Sequence, residues 1–290
     1  MPHNHSHSHH NDEQSNRQLG FAVFINVLLT VAQVAGGVLS GSLSLIADAL
    51  HNLSDAAAIF IALIARKIGG KPADRQYHYG YKRAEILATL LNSTTLIIIG
   101  GFLIIEAIES YFNPTPIDGW IVVWVAALAL LIDIATAVLT FNAGAKNSMN
   151  IRAAFIHNVS DAMASIVVIV AGTLIILYQW YIVDLIATIL ISAYVIYHGV
   201  LLLIASCKIL MQRAPDNFDH DKITAALTTQ FVINQIHSLK VWQLDDNQTY
   251  CELIINAPAS VKLDEIKHYL EQEFALSHSI IELHTCDSKI

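Results

Sequence analysis

The sequence predicts an α-helical membrane protein of six transmembrane helices, followed by a small C-terminal α+β domain in water. Three observations predict it. Of 290 residues, 54% are hydrophobic and 14% charged, with a mean hydropathy of +0.51, whereas a soluble domain averages about 25% charged residues. Six apolar runs, at about 19–39, 43–65, 84–106, 117–139, 151–177 and 181–206, approach or exceed the ~20 residues that a helical span of the bilayer needs. From Ile209 onward, twelve acidic residues stand against six basic ones, half of the chain's 24 acids. That composition shift marks a second domain.

The elements follow in order. Residues 1–18 are rich in His, Asn and Ser, carry no apolar run and offer no cleavable signal. Their interleaved His3, His5, His7, His9 and His10 predict a disordered cytoplasmic tail that captures metal weakly. The six-helix transmembrane domain is expected over 19–208. It is punctuated by Gly36-Gly37, Ser40-Gly41-Ser42, Gly69-Gly70-Lys71-Pro72 and Asn113-Pro114-Thr115-Pro116. Arg17, then Arg66, Lys67, Lys71, Arg75, Lys82 and Arg83, then Lys146 and Arg152, then Lys208 and Arg213 alternate with connections that hold no Lys or Arg. All sixteen basic residues thus fall on one side, which the positive-inside rule makes the cytoplasm. Both termini are expected inside.

Pro215 closes the linker into the cytoplasmic domain, 209–290. Its pattern reads helix 217–231, strand 236–244, a turn at Asp245-Asp246-Asn247, strand 249–256, helix 261–275 and strand 279–285. That αββαβ order fits a ferredoxin-like fold. No Lys/Arg cluster marks the domain, which excludes nucleic acid as a partner. Cys207, Cys251 and Cys286 form no C-x-x-C pair, so neither a disulfide framework nor a zinc ribbon is indicated.

The chemistry lies in a repeat. Helix 2 contains His51-Asn52-Leu-Ser54-Asp55-Ala and helix 5 contains His157-Asn158-Val-Ser160-Asp161-Ala. An ionisable residue at membrane depth costs at least ~2.5 kcal/mol on insertion scales and is functional by default. Residues at i and i+4 share a helix face, so each motif presents one imidazole and one carboxylate to the same neighbour. Two N and two O ligands suit a tetrahedral Zn²⁺ site. Helices 2 and 5 are antiparallel, which sets His51 level with Asp161 and Asp55 level with His157. Asp55 lies 11 residues from Arg66 and Asp161 lies 9 from Arg152. At ~1.5 Å per residue that is about half of the ~30 Å core. Polar groups in membranes also act as packing glue, at ~0.6 kcal/mol each, but two matched pairs at one depth favour ligands.

These residues carry a resemblance to the cation diffusion facilitator transporters, from about Leu19 to Asp287. It rests on Gly37, Ser42-Leu-Ser-Leu-Ile-Ala-Asp48, His51/Asp55, Tyr79-Gly80-Tyr81-Lys82-Arg83-Ala84-Glu85, Asn92 and His157/Asp161. The family's transport site matches His51, Asp55, His157 and Asp161 one for one, and members with two His and two Asp resemble zinc transporters. The resemblance implies a homodimer in membrane lipid, alternating access coupled to protons, and a metal-sensing cytoplasmic domain. The ligands must lose protons to bind metal, so an acidic exterior displaces Zn²⁺ with H⁺ as counter-ion. Candidates for regulatory metal sites are His237, His268, His284 and Cys286, with Cys251 beside them; Ile254 and Lys240 stand where some members carry His. His284 and Cys286, at i and i+2 of a strand, are expected on one face.

Other polar positions carry weaker expectations. Asp48 is on the face of Asp55 two turns away, as a partner of the ligands or an exit-path residue. Asn26 and Asp133 are expected to be buried in apolar runs, with either a helix-bonding role or a proton relay open to Asp133. Glu106, Glu109, Asp118 and Asp184 lie near outer helix ends, where solvation is expected. The 2–3 loop offers Asp74 and His78 among Arg75, Tyr77 and Tyr81, too few for a full metal site. A membrane metalloenzyme would need a motif such as His-Glu-x-x-His, which the sequence lacks. A flux-free sensor would not need ligands at mid-membrane.

Overall fold

A computed structural model of the chain describes residues 25, 27–142, 149–216, 218–245 and 248–285. Asn26, the five tail histidines and Cys286 lie outside the described residues.

The first helix, α1, is described over Val27–Ser40. Gly41 then takes a positive φ of 73°, a conformation open to glycine at no steric cost, and the chain reverses at once into α2. Helices α2 (Leu43–Gly69), α3 (Ala84–Phe112), α4 (Gly119–Asn142), α5 (Met149–Tyr178) and α6 (Ile182–Leu210) follow. Each runs a few residues beyond its apolar run, because a helix continues through the interface until a breaker or cap stops it. After α3 the breaker is Asn113-Pro114. Asp118 starts α4 by accepting from the backbone N–H groups of Trp120 (3.0 Å) and Ile121 (3.3 Å). Gln179, with φ 56°, ends α5.

Among the described residues four helices are long and apolar enough to cross a membrane: Ala84–Phe112, Gly119–Leu139, Phe155–Tyr178 and Ile182–Leu210. The described part of α1 is shorter, and α2 carries Asp48, His51, Asn52, Asp55, Arg66 and Lys67 in its 27 residues. The four helices turn large apolar side chains outward, among them Ile98, Phe102, Trp124, Leu131 and Leu190. A water-soluble protein would not leave so much apolar surface bare. The chain is an integral membrane protein.

The chain divides into two compact units, Met1–Ile61 with Asn92–Leu201, and Ala62–Leu91 with Leu202–Ile290. The first has a core of Leu45, Ala47, Leu96, Leu103, Val122, Ala126, Val168, Ile191 and Val195. Small residues bring its helices together: a Cβ on Gly119 of α4 would meet the Gly172 carbonyl of α5 at 2.7 Å, and one on Gly100 of α3 would meet Ile196 of α6 at 2.7 Å. Close backbone approach is the usual means of helix association in lipid, where burial of apolar surface drives nothing.

In the second unit, α7 (His220–Gln230), β1 (Gln235–Gln243), β2 (Thr249–Asn256), α8 (Leu263–Phe274) and β3 (His278–His284) appear in the expected order. The sheet has the order β1-β2-β3, with β1 antiparallel and β3 parallel to the central β2. Asp219 caps α7 through the N–H groups of Asp221 and Lys222, at 3.1 Å each. Alternation on β2 buries Cys251, Leu253 and Ile255 against Ile223 and Leu227 of α7 and Ile266 and Leu270 of α8. A β-bulge falls at His237, between the pairs Ile236↔Ile255 and Ser238↔Ile254.

Candidate metal centre

His51 stands on the third turn of α2, and His157 and Asp161 lie one turn apart on α5. His51 Nε2 is 3.1 Å from Asp161 Oδ1. His157 Nε2 is 3.5 Å from the other carboxylate oxygen, Oδ2. The two imidazoles meet edge to face with centroids 6.1 Å apart. One buried carboxylate thus holds a ring from each helix, and the antiparallel pairing sets His51 beside Asp161 across the interface. Asp55 stands one turn after His51 on α2; its side chain lies outside the described part of the structure. As they stand the groups bond one another, and among the described residues no three such side chains are gathered tightly enough to hold one ion.

Around this cluster the structure adds partners that sequence reasoning missed. Gln33 of α1 is fully buried. Its Nε2 donates to Asp48 at 2.6 Å, and its Oε1 accepts from Asn52 Nδ2 at 3.0 Å. Asp48 therefore points into a three-residue network with α1. On the α5 side, Ser165 donates to Asp133 at 3.0 Å, an α4–α5 link. The His51 ring also faces Tyr194 of α6 at 6.2 Å, and Tyr194 faces His198 at 4.5 Å. The signal for Gln33 and His198 was present, since each is a polar residue within an apolar run.

Asp184 corrects an expectation. It sits at the start of α6, where solvation was anticipated, yet it is fully buried. Its carboxylate accepts from the hydroxyls of Ser42 and Ser44, at 2.5 Å each, and from the N–H groups of Leu43 (2.8 Å) and Ser44 (3.3 Å). The first turn of a helix leaves N–H groups without partners, and the Ser42-Leu-Ser44 segment turns its donors toward this one acceptor. The start of α2 is thus capped by a carboxylate from 140 residues away in sequence. Glu109 and Asp118 are exposed as expected.

Outside the membrane, Asp74 organises the 2–3 loop. It accepts from the N–H groups of Gln76 (2.7 Å) and Tyr77 (2.8 Å) and from the Tyr81 hydroxyl (2.9 Å). Those bonds, the Tyr77 N–H foremost, hold its carboxyl below the ordinary range. In the C-terminal unit the bulge turns His237 toward His284, ring centroids 5.9 Å apart, and His284 Nε2 lies 3.0 Å from Glu282 Oε1. His268 is exposed on α8, and among the described residues no recorded contact joins it to that pair. Cys251 is packed in the sheet core, where burial pushes its thiol up to about 12. Its side chain packs among Leu253, Ile255, Ile266 and Leu270. Lys240 pairs with Glu252 across the strands at 2.7 Å.

Comparison with known proteins accords with this architecture. The cation efflux transmembrane domain family matches residues 19–211. The chain is 31% identical to the zinc transporter ZitB of Pectobacterium atrosepticum, over 98% of this chain and 89% of that protein. It is 31% identical to the cadmium, cobalt and zinc/H(+)-K(+) antiporter of Bacillus subtilis, over 96% and 92%. To the metal cation efflux system protein CzcD of Cupriavidus metallidurans it is 30% identical, over 97% and 91%. With a family match across about two thirds of its length and relatives aligned nearly end to end, the chain belongs to the cation efflux family of membrane transporters.

Proposed function

We propose that the chain is a proton-coupled antiporter that exports Zn²⁺, or a similar divalent cation, across a bacterial inner membrane by alternating access. The observation that carries this reading is the shared carboxylate of Asp161 between His51 and His157, on two helices whose motifs repeat. The chain is a transporter and not an enzyme. The names of its relatives supply the substrate class, zinc with cadmium and cobalt, and one name pairs metal with H⁺.

In this reading α1 and α2 complete a six-span bundle, and His51, Asp55, His157 and Asp161 ligate the ion as substrate. Ion binding uses the same atoms that form the His51–Asp161 pair. Imidazole and carboxylate coordinate only when deprotonated, so each turnover exchanges metal for protons at the same atoms. Tyr194 packs on the His51 ring and limits its rotation, while Gln33 and Asn52 hold Asp48 one turn before His51. The C-terminal unit serves as a cytoplasmic ferredoxin-like domain with His237 and His284 at a regulatory metal site, in a homodimer. The N-terminal histidines capture metal at the inner mouth.

Zinc uptake into everted vesicles, acid inside, tests the reading. Wild type takes up Zn²⁺ only while the pH gradient lasts, and Asp161→Ala or Asp55→Ala lowers the initial rate by at least about tenfold, the effect of losing ~1.4 kcal/mol or more of ion binding. Uptake that ignores the gradient sinks the proton coupling, and undiminished uptake in both variants sinks the site.

A further inference from the structure

Immediately before the apolar run of α3, the chain turns through Tyr77–Arg83 and, with Gln212, Trp242 and Leu244, lines a cavity of about 660 Å³. All of these residues belong to the second unit. The permanently charged side chains on its wall are Lys82 and Arg83, with His78 beside them and no carboxylate. Both cations are half-buried. Among the described residues neither makes an ion pair, and Arg83 Nε is buried without a hydrogen-bond partner. The nearby carboxylate of Asp74 is already spent on the loop's own N–H groups and on Tyr81.

A half-buried cation with no counter-charge is costly, and so is a buried donor with no acceptor. The arrangement is complete once an anion enters. Arginine's planar fork matches phosphate geometry, and α3 begins at Ala84, so the positive end of its dipole lies at the same place. The opposite wall is aromatic and braced. Tyr79 meets Tyr250 edge to face at 5.7 Å, and Trp242 stacks on Tyr250 at 5.9 Å. Tyr77, Tyr79 and Tyr81 directly precede the apolar run of α3, and tyrosine at the end of an apolar span marks the level of lipid headgroups.

We propose that this cavity binds one phosphate-bearing anion through Lys82 and Arg83, tying the 2–3 loop to the first strand of the C-terminal sheet. A phospholipid headgroup and a free phosphate share that chemistry. The volume, within the usual range for small-molecule sites of about 300–1,000 Å³, admits either.

The test uses the full-length protein in phosphatidylcholine nanodiscs, with thermal unfolding as readout at matched ionic strength. Adding phosphatidylglycerol, or inorganic phosphate in place of chloride, raises the melting temperature by roughly 3–6 °C. A rise with lipid alone identifies the headgroup, and a rise with phosphate alone identifies the free anion. The gain vanishes in the Lys82→Gln, Arg83→Gln double variant and persists in Lys267→Gln, on α8 away from the cavity. Native mass spectrometry of wild type gives a second reading that needs no variant, in which an anionic phospholipid or phosphate adduct outlasts phosphatidylcholine. Equal melting temperatures in chloride, phosphate and phosphatidylglycerol would overturn the proposal. So would a gain that survives the double variant.

Discussion

At the residue scale, the buried polar groups of the first unit divide by what they touch. Asp161 touches two imidazoles, and Asp184 touches the start of a helix. The second relation yields a prediction because Asp118 offers a matched comparison: both carboxylates cap a helix, one buried and one exposed. Asp184→Ala leaves two hydroxyls and two N–H groups without their acceptor, at ~1–3 kcal/mol for each buried group left unmet. Asp118→Ala loses a solvated cap worth about 0.5–2 kcal/mol. Thermal unfolding in detergent should therefore fall much further for Asp184→Ala than for Asp118→Ala. Equal falls would mean that water reaches the start of α2. The His/Asp pairs were legible from the repeat of His-Asn-x-Ser-Asp. The cap was not, because nothing in the local sequence links Ser42 to a carboxylate on another helix.

At the element scale, helix association rests on where glycine stands. The Gly119 Cα faces backbone of α5, so an added methyl meets a carbonyl that cannot turn aside. Gly101, on α3, has nothing within 4 Å of the same position. Gly119→Ala should destabilise by about 1–3 kcal/mol through overpacking. Gly101→Ala should be neutral or stabilising by about 0.5–1 kcal/mol, the helix preference of Ala over Gly. Paired melting curves check this, and a stable Gly119→Ala protein would mean that α4 and α5 can separate without loss. Both glycines sit in apolar runs and look alike in the sequence, and packing alone tells them apart. Helix and strand positions were legible to within a few residues, because period and turn chemistry are local. The bulge that turns His237 toward His284 was not, since strand alternation does not show where a residue is added.

At the scale of the whole molecule, the distribution of charge predicts an orientation. The sixteen basic residues alternate with connections that contain none, a bias that the membrane's insertion machinery reads. A green fluorescent protein fused after Ile290 should fluoresce, and alkaline phosphatase fused there should stay inactive. An active phosphatase would place the C-terminal unit outside and reverse the proposed direction of transport.

The sequence by itself determined the class of molecule, the type and order of its elements, and the four residues proposed as ligands, because hydropathy, period and i, i+4 spacing are properties of short segments. Tertiary structure alone decided which polar residues meet. Gln33 joins Asp48 and Asn52, Asp184 caps α2, Tyr194 packs on His51, and Lys82 and Arg83 line a cavity with Trp242. Each of these unites segments from 15 to 160 residues apart, and no local pattern encodes a partner at that distance. A buried polar group must be satisfied, but only the packing of the helices says by whom.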